Sequence, residues 1–131
     1  MSLDISLKDP TSTYNTKYLY ETNITHNLGE MAEKAGIYEA LWRPYRLHKD
    51  CPKEFVDYNS ELDFEESKTY YAKDIIVIVE KGLADLKARP EYFKQFNSPN
   101  GWGTYKDFVP FVEKYLEALK EYPESIIEVC R

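Results

Sequence analysis

The chain has 131 residues, a formal net charge of −6, 43% hydrophobic residues and 31% charged residues. That length fits one domain, residues 1–131, with a core large enough to need no metal or disulfide staple. The acidic balance argues against a nucleic-acid backbone or an anionic membrane as the main partner, and no run of lysines or arginines is visible. Cys51 and Cys130 are too few for a disulfide scaffold. The longest apolar run, Ile75 to Val79, falls far short of the ~20 residues a membrane span needs. Residues 1–20 lack the basic start and apolar core of a signal peptide, so the expectation is a cytoplasmic protein.

In chain order, Leu3-Asp4-Ile5-Ser6-Leu7 alternates apolar and polar residues at strand period and ends at Asp9-Pro10. Tyr14–Tyr20 is a candidate third strand, on which Tyr14, Tyr18 and Tyr20 would share one aromatic face. Thr22, Asn23 and Thr25 offer N-caps for a first helix whose inner face is Leu28, Met31, Ala32 and Ala35, with Gly36 as its left-handed terminator. Ile37–Trp42 reads as a short second turn stopped by Pro44, with Trp42 in the core. Positions 49–69 carry few helical signals and read as a solvated loop or a hairpin around Asn59-Ser60. The strongest helix runs from about Tyr71 to Ala88, with Ala72, Ile75, Ile76, Val79, Leu83 and Leu86 as its stripe. Pro90 suits the first position of a short helix to Phe96. After a loop, Thr104 and Asp107 resemble a capping box for a last helix that turns Phe108, Phe111, Val112, Tyr115, Leu116 and Leu119 inward, with Pro110 favouring a bend. Ile127 and Val129 alternate again at strand period. The expected fold is α+β, three main helices packed with a small sheet formed by the N- and C-terminal strands.

The connecting loop, Asn97 to Tyr105, holds Gly101-Trp102-Gly103. A tryptophan between two glycines implies a loop with one required shape, serving either to anchor the two long helices or to stack on a ligand. Asn23, Thr25, His26 and Asn27 crowd the expected start of the first helix, where free amides could hold an anion and His26 could move a proton. The structural reading is that Asn23 and Thr25 cap while His26 bonds a backbone carbonyl. His48 and Cys51 are too few for a metal site, and neighbours in a loop rarely form a nucleophile pair, so no metal and no cofactor is expected. Twelve tyrosines are many for this length and suit a binding surface as well as half-exposed packing.

Asp9-Pro10-Thr11, Tyr14-Asn15, Asn23-Ile24-Thr25-His26-Asn27-Leu28 with Met31, Arg89-Pro90, the block Asn97 to Tyr105 and Pro123 together resemble a family of small uncharacterised proteins of bacteria and their phages. The resemblance spans both ends of the chain but not residues 45–69. It implies a small intracellular protein, associated with mobile elements, and carries no assigned activity or catalytic residue.

The expected function is a non-enzymatic binding or interaction module, with a protein partner, a second copy or a small molecule at Asn23, Thr25, His26, Asn27, Asn100, Trp102 and Tyr105. The alternative is a small hydrolase or transferase with His26 as general base and Asn23, Asn27 and Asn100 orienting the substrate. It requires His26, Asn100 and Trp102 to line one cleft.

Overall fold

The computed structural model describes residues 2–12 and 14–131. Strand β1 (Ser2–Lys8) is the centre of a three-stranded antiparallel sheet, flanked by β2 (Tyr18–Thr25) and β3 (Ile126–Cys130). The alternation read in β1 decides its faces. Leu3, Ile5 and Leu7 are buried and lie opposite Ile24, Thr22 and Tyr20 on one side, while Val129 and Ile127 oppose Ile5 and Leu7 on the other. Asp4, Ser6, Asn23, Glu21 and Glu128 fall on the opposite, polar face. Asp9 closes the β1–β2 connection by donating its amide to the Lys17 carbonyl at 2.8 Å, and its side chain accepts from the Thr11 amide at 2.9 Å.

The helices are α1 (Gly29–Lys34), α2 (Tyr38–Trp42), α3 (Tyr58–Ser67), α4 (Ile76–Ala88), α5 (Pro90–Lys94) and α6 (Tyr105–Glu121), and all but α3 contribute buried residues to the core. The fold is α+β. In α6 all six residues of the expected stripe are buried, and α4 buries Val79, Gly82, Leu83 and Leu86. Full burial contributes roughly 1.5–3 kcal/mol for each large aliphatic side chain, so these two stripes and the inner face of β1 carry much of the core. At Gly82 an added Cβ would run into the Ile37 side chain and come within 3.0 Å of the Ala35 carbonyl, so glycine lets α4 press against the turn that follows α1. Gly36 occupies the left-handed region at φ 76°.

Four expectations need correction. Thr22 and Asn23 lie in β2 rather than at a helix start; only Thr25 caps, its Oγ1 accepting the Asn27 amide at 3.2 Å to open a single turn at His26–Leu28 ahead of α1. The strand begins at Tyr18, and Tyr14 stands outside it, 97% exposed. A bulge at Leu19 sets Tyr18 opposite Lys8 but Tyr20 opposite Leu7, so the two rings part to opposite faces. Tyr18 donates to Glu128 at 3.0 Å, whereas Tyr20 stacks on Tyr115 at 6.3 Å between centroids.

The stretch expected as loop or hairpin around Asn59-Ser60 forms α3 instead. Asp57 caps it, with Oδ1 accepting the Ser60 amide at 2.8 Å. Finally, Thr104 donates to Asp107 at 3.1 Å but takes no backbone amide; the first amide of α6, that of Tyr105, is held by Asn97 Oδ1 at 2.7 Å.

Candidate functional site

The Asn97–Tyr105 loop is braced from within. Ser98 and Gly101 amides donate to the Gly103 and Ser98 carbonyls at 2.9 and 3.0 Å. Asn100 Oδ1 accepts from the Ser98 hydroxyl at 2.6 Å and from the Trp102 amide at 2.9 Å. The Tyr105 hydroxyl donates to the Leu86 carbonyl at 2.8 Å, tying the loop's end to α4.

The loop also meets the end of β2 and the single turn His26–Leu28 ahead of α1. Asn27 Nδ2 donates to the Trp102 carbonyl at 2.7 Å. Gly103, at φ 114°, is buried so closely that a Cβ would lie 3.0 Å from Asn27 Cβ, 3.1 Å from Thr25 Cγ2 and 3.3 Å from Leu28 Cγ. Only glycine satisfies both the backbone angle and the space. With its main chain pinned on both sides, Trp102 nevertheless leaves 73% of its surface in solvent.

His26 turns elsewhere. Its Nδ1 accepts the indole N–H of Trp42 at 2.9 Å, and Trp42 is buried and stacked on Tyr38 at 5.3 Å. The partner is thus an indole rather than the backbone carbonyl expected. With Nδ1 accepting, a neutral ring carries its proton on Nε2, which is then a donor and has no lone pair for general-base work. Asn23 is remote in role as well, exposed on the polar face of the sheet opposite Asp4. Of the expected site residues, the structure joins Thr25, Asn27, Asn100, Trp102 and Tyr105 through one loop junction and separates Asn23 and His26 from it. A depression of about 420 Å3 beside the junction is lined by Asn27, Glu30, Phe96, Asn97 and Pro99 among others; neither His26 nor Trp102 lines it.

The His48–Cys51 pair has no nucleophile geometry. His48 Nδ1 accepts the Asp50 amide at 3.1 Å, the Cys51 thiol donates to the Pro52 carbonyl at 3.5 Å, and burial pushes that thiol's pKa up. Among the described residues no three His, Cys, Asp or Glu side chains converge as a metal site requires.

A second polar cluster was not foreseen from the sequence. Tyr45, on the single turn Pro44–Leu47 after α2, is fully buried. Its hydroxyl donates to Glu61 Oε1 and accepts from Arg43 Nη1 at 3.0 Å, while Arg46 Nη2 donates to the same Glu61 oxygen at 3.2 Å. One turn along α3, both oxygens of Glu65 take the fork of Arg131 at 2.7 Å, and Arg131 also donates to the Trp42 carbonyl at 3.1 Å. The acidic stretch read as a solvated loop therefore has two half-buried, paired carboxylates. Arg43-x-x-Arg46 and Glu61-x-x-x-Glu65 were the available signals, but the second has meaning only on a helix.

Comparison with known proteins finds no matching family model, no matching curated sequence and no matching solved structure. Among the described residues no helix is long and apolar enough to cross a membrane.

Proposed function

We propose that this chain is a small non-enzymatic interaction module in which the Asn97–Tyr105 loop presents Trp102 as the anchor for a protein partner. The observation that carries this reading is a large ring left mostly exposed on a main chain held by Asn27, Asn100 and Asn97. Leaving an indole in water forgoes the gain of burying it. Fixing its backbone beforehand lowers the entropy cost of binding, and tryptophan is the side chain most enriched at interface hot spots.

The reading is supported further by the engagement of His26 with Trp42, which removes the base that the hydrolase or transferase alternative requires. The test is capture of a binding protein, its identification and purification, and titration against the native chain and Trp102→Ala. Loss of about 2 kcal/mol or more of binding energy in the variant is expected for a hot spot. Equal affinity of the two proteins, or no protein captured by the native chain, would overturn the reading.

A further inference from the structure

We propose that α3 is a displaceable latch, and that the seat now filled by its Glu61 carboxylate, formed by Arg43, Tyr45 and Arg46, takes a phosphate group. The seat shares no hydrogen bond with Trp102 or its loop.

The attachment of α3 is unusual for this fold. The helix contributes no buried residue. Open clefts flank it: one of about 730 Å3 towards β3, lined by Glu65, Lys68, Val129 and Arg131 among others, and one of about 470 Å3 lined by Glu39, Arg46, Phe55 and Glu61 among others. Its apolar hold is the half-buried Phe64 ring, with centroids 5.9 Å from Phe55 and 5.8 Å from His48. The bonds to the body are those of the Glu61 and Glu65 carboxylates to arginines and to the Tyr45 hydroxyl, together with one from the Tyr70 hydroxyl to the Glu65 carbonyl at 2.7 Å. Elements with few buried contacts open locally at low free energy while the rest of the fold stays intact.

What α3 covers is chemically specific. The Glu61 oxygen is met by the Tyr45 hydroxyl and by Arg46 Nη2 at 3.2 Å, with Arg43 Nη1 at 3.8 Å. These are donors converging on an oxyanion, and guanidinium forks match phosphate as well as carboxylate. Two guanidiniums exceed the single charge of Glu61. When α3 lifts, Arg131 loses Glu65 as well, leaving three cations around Tyr45; the Glu39 carboxylate lines the cleft with Arg46. A phosphate, with about −1.5 to −2 charges and three acceptor oxygens, satisfies that set better than one carboxylate does. Release and binding are then one equilibrium: the closed fraction lowers the apparent affinity, and weakening the latch raises it.

The test compares the native chain with Glu61→Gln/Glu65→Gln near neutral pH, using calorimetric titration with inorganic phosphate and with phenyl phosphate, and hydrogen exchange of the amides. The double variant should bind phosphate about tenfold or more tightly than the native chain, since removing the competing carboxylates raises the open fraction. Its α3 amides should exchange rapidly while those of α4 and α6 stay protected, and adding Arg46→Gln should abolish the binding. A preference between the two probes separates free phosphate from a phosphate ester. The proposal falls if α3 stays as protected as in the native chain, if it opens without binding either probe, or if binding survives Arg46→Gln. It also falls if α4 and α6 lose protection together with α3, because the latch must be separable from the fold.

Discussion

The side-chain amide of Asn27 donates to the main-chain carbonyl of Trp102 at 2.7 Å, across 75 positions of sequence. One residue from the single turn ahead of α1 thereby fixes the backbone of the loop before α6, while the indole on that backbone stays in water. Asn27→Ala should leave the global fold intact, because both partners are exposed, yet loosen the loop. The measurement is backbone relaxation of residues 98–103: order parameters should fall towards those of a mobile loop, below about 0.6. Unchanged order in the variant would show that the other braces suffice.

Gly103 and Gly101 both lie at positive φ, but only Gly103 is crowded. Gly101→Ala should carry the backbone strain alone. Gly103→Ala adds contact at 3.0–3.3 Å with Asn27, Thr25 and Leu28, and should cost about 1–3 kcal/mol more, the usual range for overpacking. Denaturant midpoints of the two variants at equal slope provide the comparison.

His26→Ala should destabilise by about 1–3 kcal/mol, since it strands the indole N–H of buried Trp42 without its acceptor. Urea unfolding followed through tryptophan emission is the direct readout. A loss near zero would return His26 to the list of residues free to do chemistry.

Tyr115 presents the reverse case. Its hydroxyl is buried with no hydrogen-bond partner among the described residues, and burial holds its pKa far above the ordinary value of 10.0. Tyr115→Phe keeps the ring that stacks on Tyr20 and Phe111 while removing the orphaned group. Stability should be unchanged or higher by up to about 1 kcal/mol, as expected when an unsatisfied buried donor is deleted. Thermal unfolding of the variant checks this, and a marked drop would reveal a partner for the hydroxyl.

The pH dependence of α3 follows from Glu61. The Tyr45 hydroxyl first, and then Arg46, hold its carboxyl below the ordinary value of 4.5. A depressed folded-state pKa means that the ionised form is favoured by folding. Its contribution is complete above about 4.5 and is lost as the pH falls through the lower folded value. Hydrogen exchange stepped downward from neutral pH, corrected for the intrinsic rate, should show α3 losing protection before α6. Simultaneous loss would tie the helix to the global transition.

Where burial imposes a period, the sequence was readable. The alternation of Leu3, Ile5 and Leu7 and the stripe from Phe108 to Leu119 both correspond to faces that are buried. The same logic explains the miss at α3, which buries nothing and so writes no stripe. Thr22 to Thr25 misled because threonine and asparagine suit both a helix cap and an edge strand, and only the pairing with Leu3 and Ile5 decides between them. The tyrosines failed through a single inserted residue, Leu19, that no pattern marks. At the candidate site, the glycine–tryptophan loop was visible as a shaped element, but the contact with Asn27 and the turning away of His26 depend on how distant segments meet.

The central strand of the sheet spans residues 2–8, and one of its two neighbours is built from residues 126–130. During synthesis β1 can pair early with β2 but must wait for residues 126–130 before its other edge is closed. Leu7 waits for Ile127, and the Arg131 fork on Glu65 comes later still. Such a long sequence separation slows folding, because loop closure precedes the contacts that reward it. An emerging chain therefore exposes the half-finished edge of β1 to neighbouring polypeptides until residues 126–130 are free to pair, which makes the docking of β3 the step that commits the molecule to its native sheet.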